Sequence, residues 1–221
     1  MAPQSISEKA TRRSRAYRSE LRQQQAEQTR SRVIAAAAEL FAENGYARTT
    51  LARIAEAAGV SPETVQGQGP KAALLISAAE YAALGVAGEE NLLNLEVGRR
   101  LIAIQDCDKA LDYLVAFVAE VHERTAKLGL ALIGGASVDA ELDRYLNDFI
   151  AGINQQVRRV LRVWRGRGWL RENVSFDELV ETSAVICSVD TFLRITHRDG
   201  WTVSRYKAWV RRMLAETVLR S

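Results

Sequence analysis

Apolar residues along this chain recur at three- and four-residue intervals, and no alternating run long enough for a strand interrupts them. Residues 1 to about 25 lack an apolar stripe and read as a polar arm, helical only towards its end. From Gln28 onward Ile34, Ala37, Ala38 and Phe41 fall on one face, with Val33 and Leu40 beside them. Asn44-Gly45 then supplies a residue suited to the left-handed conformation that ends a helix. Thr49-Thr50 offers a hydroxyl cap for a short second helix to about Ala58, and Gly59 breaks it. Ser61 caps a third helix with Pro62 in its first turn, where a missing N–H is harmless. Gly67-Gln68-Gly69-Pro70 stops that helix within about two turns. A fourth helix starts at Lys71, with Leu74, Leu75, Ala78, Tyr81 and Ala82 on its inner side.

The rest of the chain reads as longer helices. Short helical pieces are expected over 87–104, then a helix from Asp108 to about Lys127, with a break at Gly134-Gly135. A long helix is expected over 139–165, ending at Gly166-Arg167-Gly168. Ser175 and Glu178 form a capping box for a helix from Phe176 to about Thr196, and Thr202 caps a last helix to about Leu219. The expected fold class is all-α, with short helices at the N-terminal end and longer ones after them.

The short helices around residues 51–67 carry the functional signal. Ala55 is small where two helices must cross closely, and Gly59 suits the positive φ of a tight turn. Ile54, Ala58, Val60 and Val65 are apolar where a shared core would lie, which leaves Ser61, Glu63, Thr64 and Gln66 on the outside. Short polar side chains on a helix stapled from behind are what a major groove admits.

The stretch from Ala35 through Leu40-Phe41 to Asn44-Gly45-Tyr46, followed by Thr49-Thr50, Ile54-Ala55, Ala58-Gly59-Val60-Ser61, Thr64-Val65 and Lys71 to Leu75, resembles the tetracycline-repressor (TetR) family over about residues 28–82. The resemblance implies a basic flexible arm (1–26), a helix-turn-helix domain (27–72) and an effector-binding and dimerisation domain (73–221). It further implies a regulator, most often a repressor, that reads a palindromic operator on double-stranded DNA as a homodimer. A small apolar or amphipathic effector would release it. The corresponding DNA-contacting positions are Arg48, Thr49, Thr50, Arg53, Ser61, Pro62, Glu63, Thr64, Gln66 and Lys71. Among them Thr50 and Lys71 are expected on phosphate, and Thr64 and Gln66 on base edges. Candidate effector residues are Phe117, His122, Tyr145, Phe149 and Trp164. Asp190, inside the mostly apolar run Val185–Ile195, reads as facing solvent, with a dimer partner or a cationic ligand as alternatives. Dimerisation would use the last two helices, with Leu179, Ser183, Ile186 and Leu193 on one face and Trp209, Val210 and Met213 on the other. The chain departs from the family where an aromatic run usually closes the recognition helix. Here Gln66-Gly67-Gln68-Gly69-Pro70 stands one residue shorter, and Gln66 takes the place of a phosphate-contacting tyrosine.

Charge and composition narrow the alternatives. Residues 1–32 hold eight basic side chains and three glutamates, +5 within a chain of net charge +3, so the remainder carries −2. A basic end on a near-neutral body suits either a DNA-following arm, including Arg12, Arg13 and Arg15, or a solvated tail. Two cysteines far apart read as reduced thiols, and the polar N-terminus with no long apolar run reads as a cytoplasmic protein without a membrane partner. Two histidines and two cysteines give no metal-binding spacing, and no phosphate loop, nucleophile elbow or dinucleotide fingerprint occurs. No catalytic residue, metal or cofactor is therefore expected. The competing reading is a helical architectural or adaptor protein that binds DNA with little sequence preference.

Overall fold

A computed structural model describes the backbone of residues 6–85 and 91–220 and the side chains from residue 21 onward. The described residues form helices joined by short connections, and no strand ladder occurs among them beyond one bridge between Leu170 and Leu219. Helix α1 (Ile6–Arg48) is followed by α2 (Leu51–Ala58), α3 (Pro62–Gln66) and α4 (Lys71–Leu84). A 3-10 turn (Leu92–Asn94) leads into α5 (Glu96–Ala103), then α6 (Cys107–Ala136) and α7 (Ala140–Gly166). Helices α8 (Phe176–Ile186) and α9 (Val189–Leu193), one π-helical turn (Arg194–Arg198) and α10 (Val203–Thr217) complete the chain.

Local chemistry accounts for the ends. The Thr50, Ser61, Asp106, Asp139, Ser175, Ser188 and Thr202 side chains each accept a backbone N–H of the helix they open. Each such cap contributes about 1 kcal/mol. The expected stop at Gly45 is present as a positive-φ kink (φ 71°), after which one more turn runs to Arg48.

Four expectations are corrected. The backbone is helical from Ile6, so most of the segment anticipated as an arm continues α1, while the side chains of Arg12, Arg13 and Arg15 lie outside the described residues. Residues 86–90, at the start of the anticipated short pieces, also lie outside them. Helix α6 starts one residue after Asp106 and does not stop at Gly134-Gly135; it runs to Ala136 and buries Gly135. The single helix anticipated from Phe176 to Thr196 is broken at Cys187-Ser188. There Ser188 Oγ accepts Thr191 N–H (3.1 Å) and Thr191 Oγ1 donates to Val185 O (2.7 Å), so side chains replace the helical ladder. Finally, Leu179, Ser183, Leu193 and Val210 are buried within this chain, so these members of the anticipated dimer faces are intramolecular core.

Two hydrophobic clusters organise the packing. One joins α1–α4 (Val33, Phe41, Ile54, Val65, Leu74, Leu75) and extends into Leu128, Ala131 and Leu132 of α6 and Leu142 of α7. The other gathers α5–α10 around Trp164, Phe192, Tyr206 and Val210. The N-terminal helices therefore share their core with the longer helices. At that seam Gly135 allows a close approach: a Cβ there would meet Leu142 Cδ2 at 2.6 Å and Tyr46 Cβ and Cγ at 2.8 Å. The Tyr46 hydroxyl donates to Asp139 Oδ2 (2.7 Å), while Asp139 Oδ1 caps α7 through Glu141 N and Leu142 N. Burial and the neighbouring Asp139 carboxylate hold the Tyr46 phenol well above its ordinary pKa, so it stays the donor.

Candidate nucleic-acid interface

Helices α2 and α3 meet across a turn built from Ala55, Gly59 and Val60. Gly59 sits at φ 63°, ψ 41°, where a side chain would be strained, and Val60 N–H reaches back to Ala55 O (3.0 Å). Ala55 is 2% exposed, so the helices touch almost backbone to backbone. Val65, fully buried, pins α3 from behind. The outward face of α3 then carries Ser61, Pro62, Glu63 and Gln66, all exposed, with Thr64 half-buried. Ser61 Oγ accepts Thr64 N–H at 3.2 Å, and interaction with Ser61 holds the Glu63 carboxyl below its usual range, so it faces outward ionised. Helix α3 is only five residues long. Gly67 N–H bonds Glu63 O, Gln68 N–H bonds Val65 O, and Gly69 turns at φ 128°, which ends the helix where the sequence places its break. Arg30 of α1 donates to Gln68 Oε1 (3.4 Å) and braces that turn, a contact without a local sequence signal.

Beside α3, the start of α2 presents exposed Thr50 and Arg53 next to exposed Arg48. Arg53 Nη1 donates to Arg48 O (3.1 Å) and Arg48 Nε to Asn44 O (3.0 Å), so both guanidiniums are held at this corner with donors to spare. The neighbouring threonine does something different. Thr49 is fully buried, and its hydroxyl lies 3.1 Å from Leu40 O and 2.9 Å from Gly45 O, closing the kinked end of α1. Thr49 is therefore not a DNA-contacting residue but a brace. Lys71 is also engaged: half-buried, it donates to Tyr46 O (3.2 Å) and sits 3.9 Å from the Tyr46 ring centroid. Tyr46 O, which also accepts Thr49 N–H (3.2 Å), thereby holds the ammonium at the start of α4.

A cavity of about 350 Å³ opens among α4, α6, α7 and the α8–α9 junction. Phe117, His122, Phe149 and Trp164 line it as anticipated. Tyr145 does not: it packs against the N-terminal cluster beside Arg144. Burial pushes His122 down to about 4, so it is neutral at ordinary pH, with Nδ1 3.3 Å from the Tyr206 hydroxyl. The buried indole N–H of Trp164 has no hydrogen-bond partner in the described structure. Asp190 is exposed, as its sequence context suggests, and it also stands on the cavity wall. Sequence reasoning missed Glu80 and Asn154 as wall residues, since the turns of α4 and α7 that face the cavity depend on how those helices pack. Cys107 and Cys187 are free thiols. Among the described residues no group of His, Cys, Asp or Glu is arranged to hold a metal ion, and no helix is long and apolar enough to cross a membrane.

Among the described residues, an N-terminal helix-turn-helix packs onto a cavity-bearing helical body. Residues 33–66 match the family model described as bacterial regulatory proteins, tetR family. Similar solved structures include the fatty acid degradation regulator FadR from Bacillus halodurans, at 18% identity and a TM-score of 0.63 over 84% of this chain and 93% of that one. The SmeT–triclosan complex is similar at 19% identity and TM-score 0.63, covering 87% and 92%. NalD, the secondary repressor of the MexAB-OprM multidrug efflux pump in Pseudomonas aeruginosa, is similar at 17% identity and TM-score 0.58, covering 89% and 99%. None of the curated proteins matches the sequence. Residues 33–66 are thus similar to the tetR-family DNA-binding segment, on a chain whose fold resembles those of the solved regulators.

Proposed function

We propose that this protein is a dimeric repressor that leaves its palindromic operator when a small apolar or amphipathic effector fills the cavity. The observation that carries the reading is the double duty of α4. Its first turns (Ala72, Leu74, Leu75) sit in the core behind α3, while Ala79, Glu80, Ala83 and Leu84 near its other end form part of the cavity wall. A ligand that prefers one placement of α4 thereby prefers one placement of the DNA-reading helix. The complex of SmeT with triclosan and the repressor role of NalD support the same reading by analogy.

In this account Ser61, Pro62, Glu63, Thr64 and Gln66 lie along the base edges, and Arg48, Thr50 and Arg53 hold phosphates. The basic N-terminal segment adds salt-dependent affinity. Two copies related by a two-fold axis place their recognition helices about 34–36 Å apart. The outward sides of α8 and α10 supply the contact. Val185 is 57% exposed there, Trp209 and Met213 are half-buried, and acidic α8 (Asp177, Glu178, Glu181) complements basic α10 (Arg205, Lys207, Arg212). A cytoplasmic location follows from DNA as the target. The test is a thermal-shift screen of apolar compounds. Compounds that raise the Tm are then added to a preformed protein–duplex complex followed by fluorescence anisotropy. Stabilising compounds that release DNA uphold the account; stabilising compounds that leave affinity unchanged refute it.

A further inference from the structure

We propose that the cavity selects a cationic amphiphile, with its apolar tail among Phe117, Phe149, Val160 and Leu161 and its positive head held by Asp190 at the rim. The inference rests on the effector reading above and names the chemical class of that effector.

The wall is strongly one-sided in charge. Among the described residues its charged side chains are Glu80 and Asp190, both acidic, and no lysine or arginine lines it, although the chain contains 30 basic residues. The remaining ionisable nitrogen on the wall, His122, is kept uncharged by its burial. An anionic head would leave water without meeting a countercharge, a cost that apolar burial of its tail must first overcome. A cationic head has the reverse situation. Asp190 is exposed at the rim and makes no ion pair among the described residues. Phe117, Phe149 and Trp164 line the same cavity and give an apolar tail aromatic surface to pack on. Ser183 and Thr125 spend their hydroxyl protons on Leu179 O and Val121 O, so towards the cavity they offer acceptor lone pairs rather than donors.

The test uses the full-length protein and three probes sharing one eight-carbon tail: octyltrimethylammonium, octanol and octanoate, each titrated calorimetrically and scored for release of bound duplex. The expected result is octyltrimethylammonium binding at least ~10-fold more tightly than octanoate. Asp190→Asn, a change at an exposed side chain, lowers affinity for the cation about 5-fold and leaves octanol unchanged. Octanoate binding as tightly as the cation, or an Asp190→Asn variant with an unchanged cation-to-octanol ratio, overturns the inference. If octanol binds and releases DNA while no charge preference appears, the effector reading stands and this inference falls. If none of the three binds, both fall.

Discussion

Adjacent glycines near the end of α6 should respond in opposite ways to the same substitution. Gly134 is open: a Cβ there has no atom within 4 Å. Gly134→Ala therefore adds only helix propensity, a gain of about 0.5–1 kcal/mol. Gly135 faces the seam, where a Cβ would stand 2.6 Å from Leu142 Cδ2 and 2.8 Å from Tyr46 Cβ and Cγ. Contacts that short require movement. Leu142 is fully buried, and Tyr46 is held by its Asp139 bond, its stack on Phe41 (6.0 Å between centroids) and Lys71 above its ring. Overpacking of this kind costs about 1–3 kcal/mol. The two variants should thus differ by about 1.5–4 kcal/mol, or roughly 3–16 °C in Tm for a chain of this length. Urea denaturation at one fixed protein concentration reads the difference without a contribution from altered association. Because Tyr46 adjoins the Thr49-Thr50 corner, Gly135→Ala should also weaken duplex binding, whereas Gly134→Ala should not. Equal stability of the two variants, within about 0.5 kcal/mol, would refute the close-packed seam.

Other outcomes depend on single contacts. Thr49→Val keeps the shape but removes the hydroxyl that ties Leu40 O and Gly45 O, and should cost about 1–2 kcal/mol in chemical denaturation. The His122 pKa lies near 4 when folded, against about 6.5 when unfolded, so the unfolded chain binds the extra proton. Stability from this residue is full above pH ~6.5 and falls by about 2 kcal/mol on acidification to pH ~5, and His122→Asn should remove that part of the pH dependence. Tyr46→Phe breaks the Asp139 bond and leaves the ring in place, so its effect should be larger on the ligand-induced change in DNA affinity than on the Tm. Gln66→Ala should relax sequence preference at one position in each half-site, while Arg53→Ala should weaken all duplexes alike and reduce the salt slope by about 1.

Features governed by neighbours in sequence were the legible ones. Caps at Thr50, Ser61, Ser175 and Thr202 and the left-handed turn at Gly59 depend on side chains within a few residues of the backbone they satisfy. The early end of α3 was legible for the same reason. What escaped depends on distant partners. Nothing near Gly135 says that Tyr46, far away in the chain, will pack onto it, so a paired glycine reads as a break when it is a contact. Thr49 and Thr50 are indistinguishable by type, yet the kink at Gly45 turns one inward and leaves the other out. Tyr145 and Phe149 lie four residues apart on α7 and pack against the same hydrophobic cluster, yet of the two only Phe149 also reaches the cavity. Likewise the apolar run Val185–Ile195 conceals the Ser188 cap that splits it.

The central claim is sequence-specific reading of DNA by a pair of short α3 helices. Selection of bound duplexes from a random pool at physiological salt, with purified full-length protein, tests it directly. The account predicts one enriched palindrome with half-sites about one helical turn apart. Binding that enriches no sequence would contradict it and favour the architectural or adaptor role.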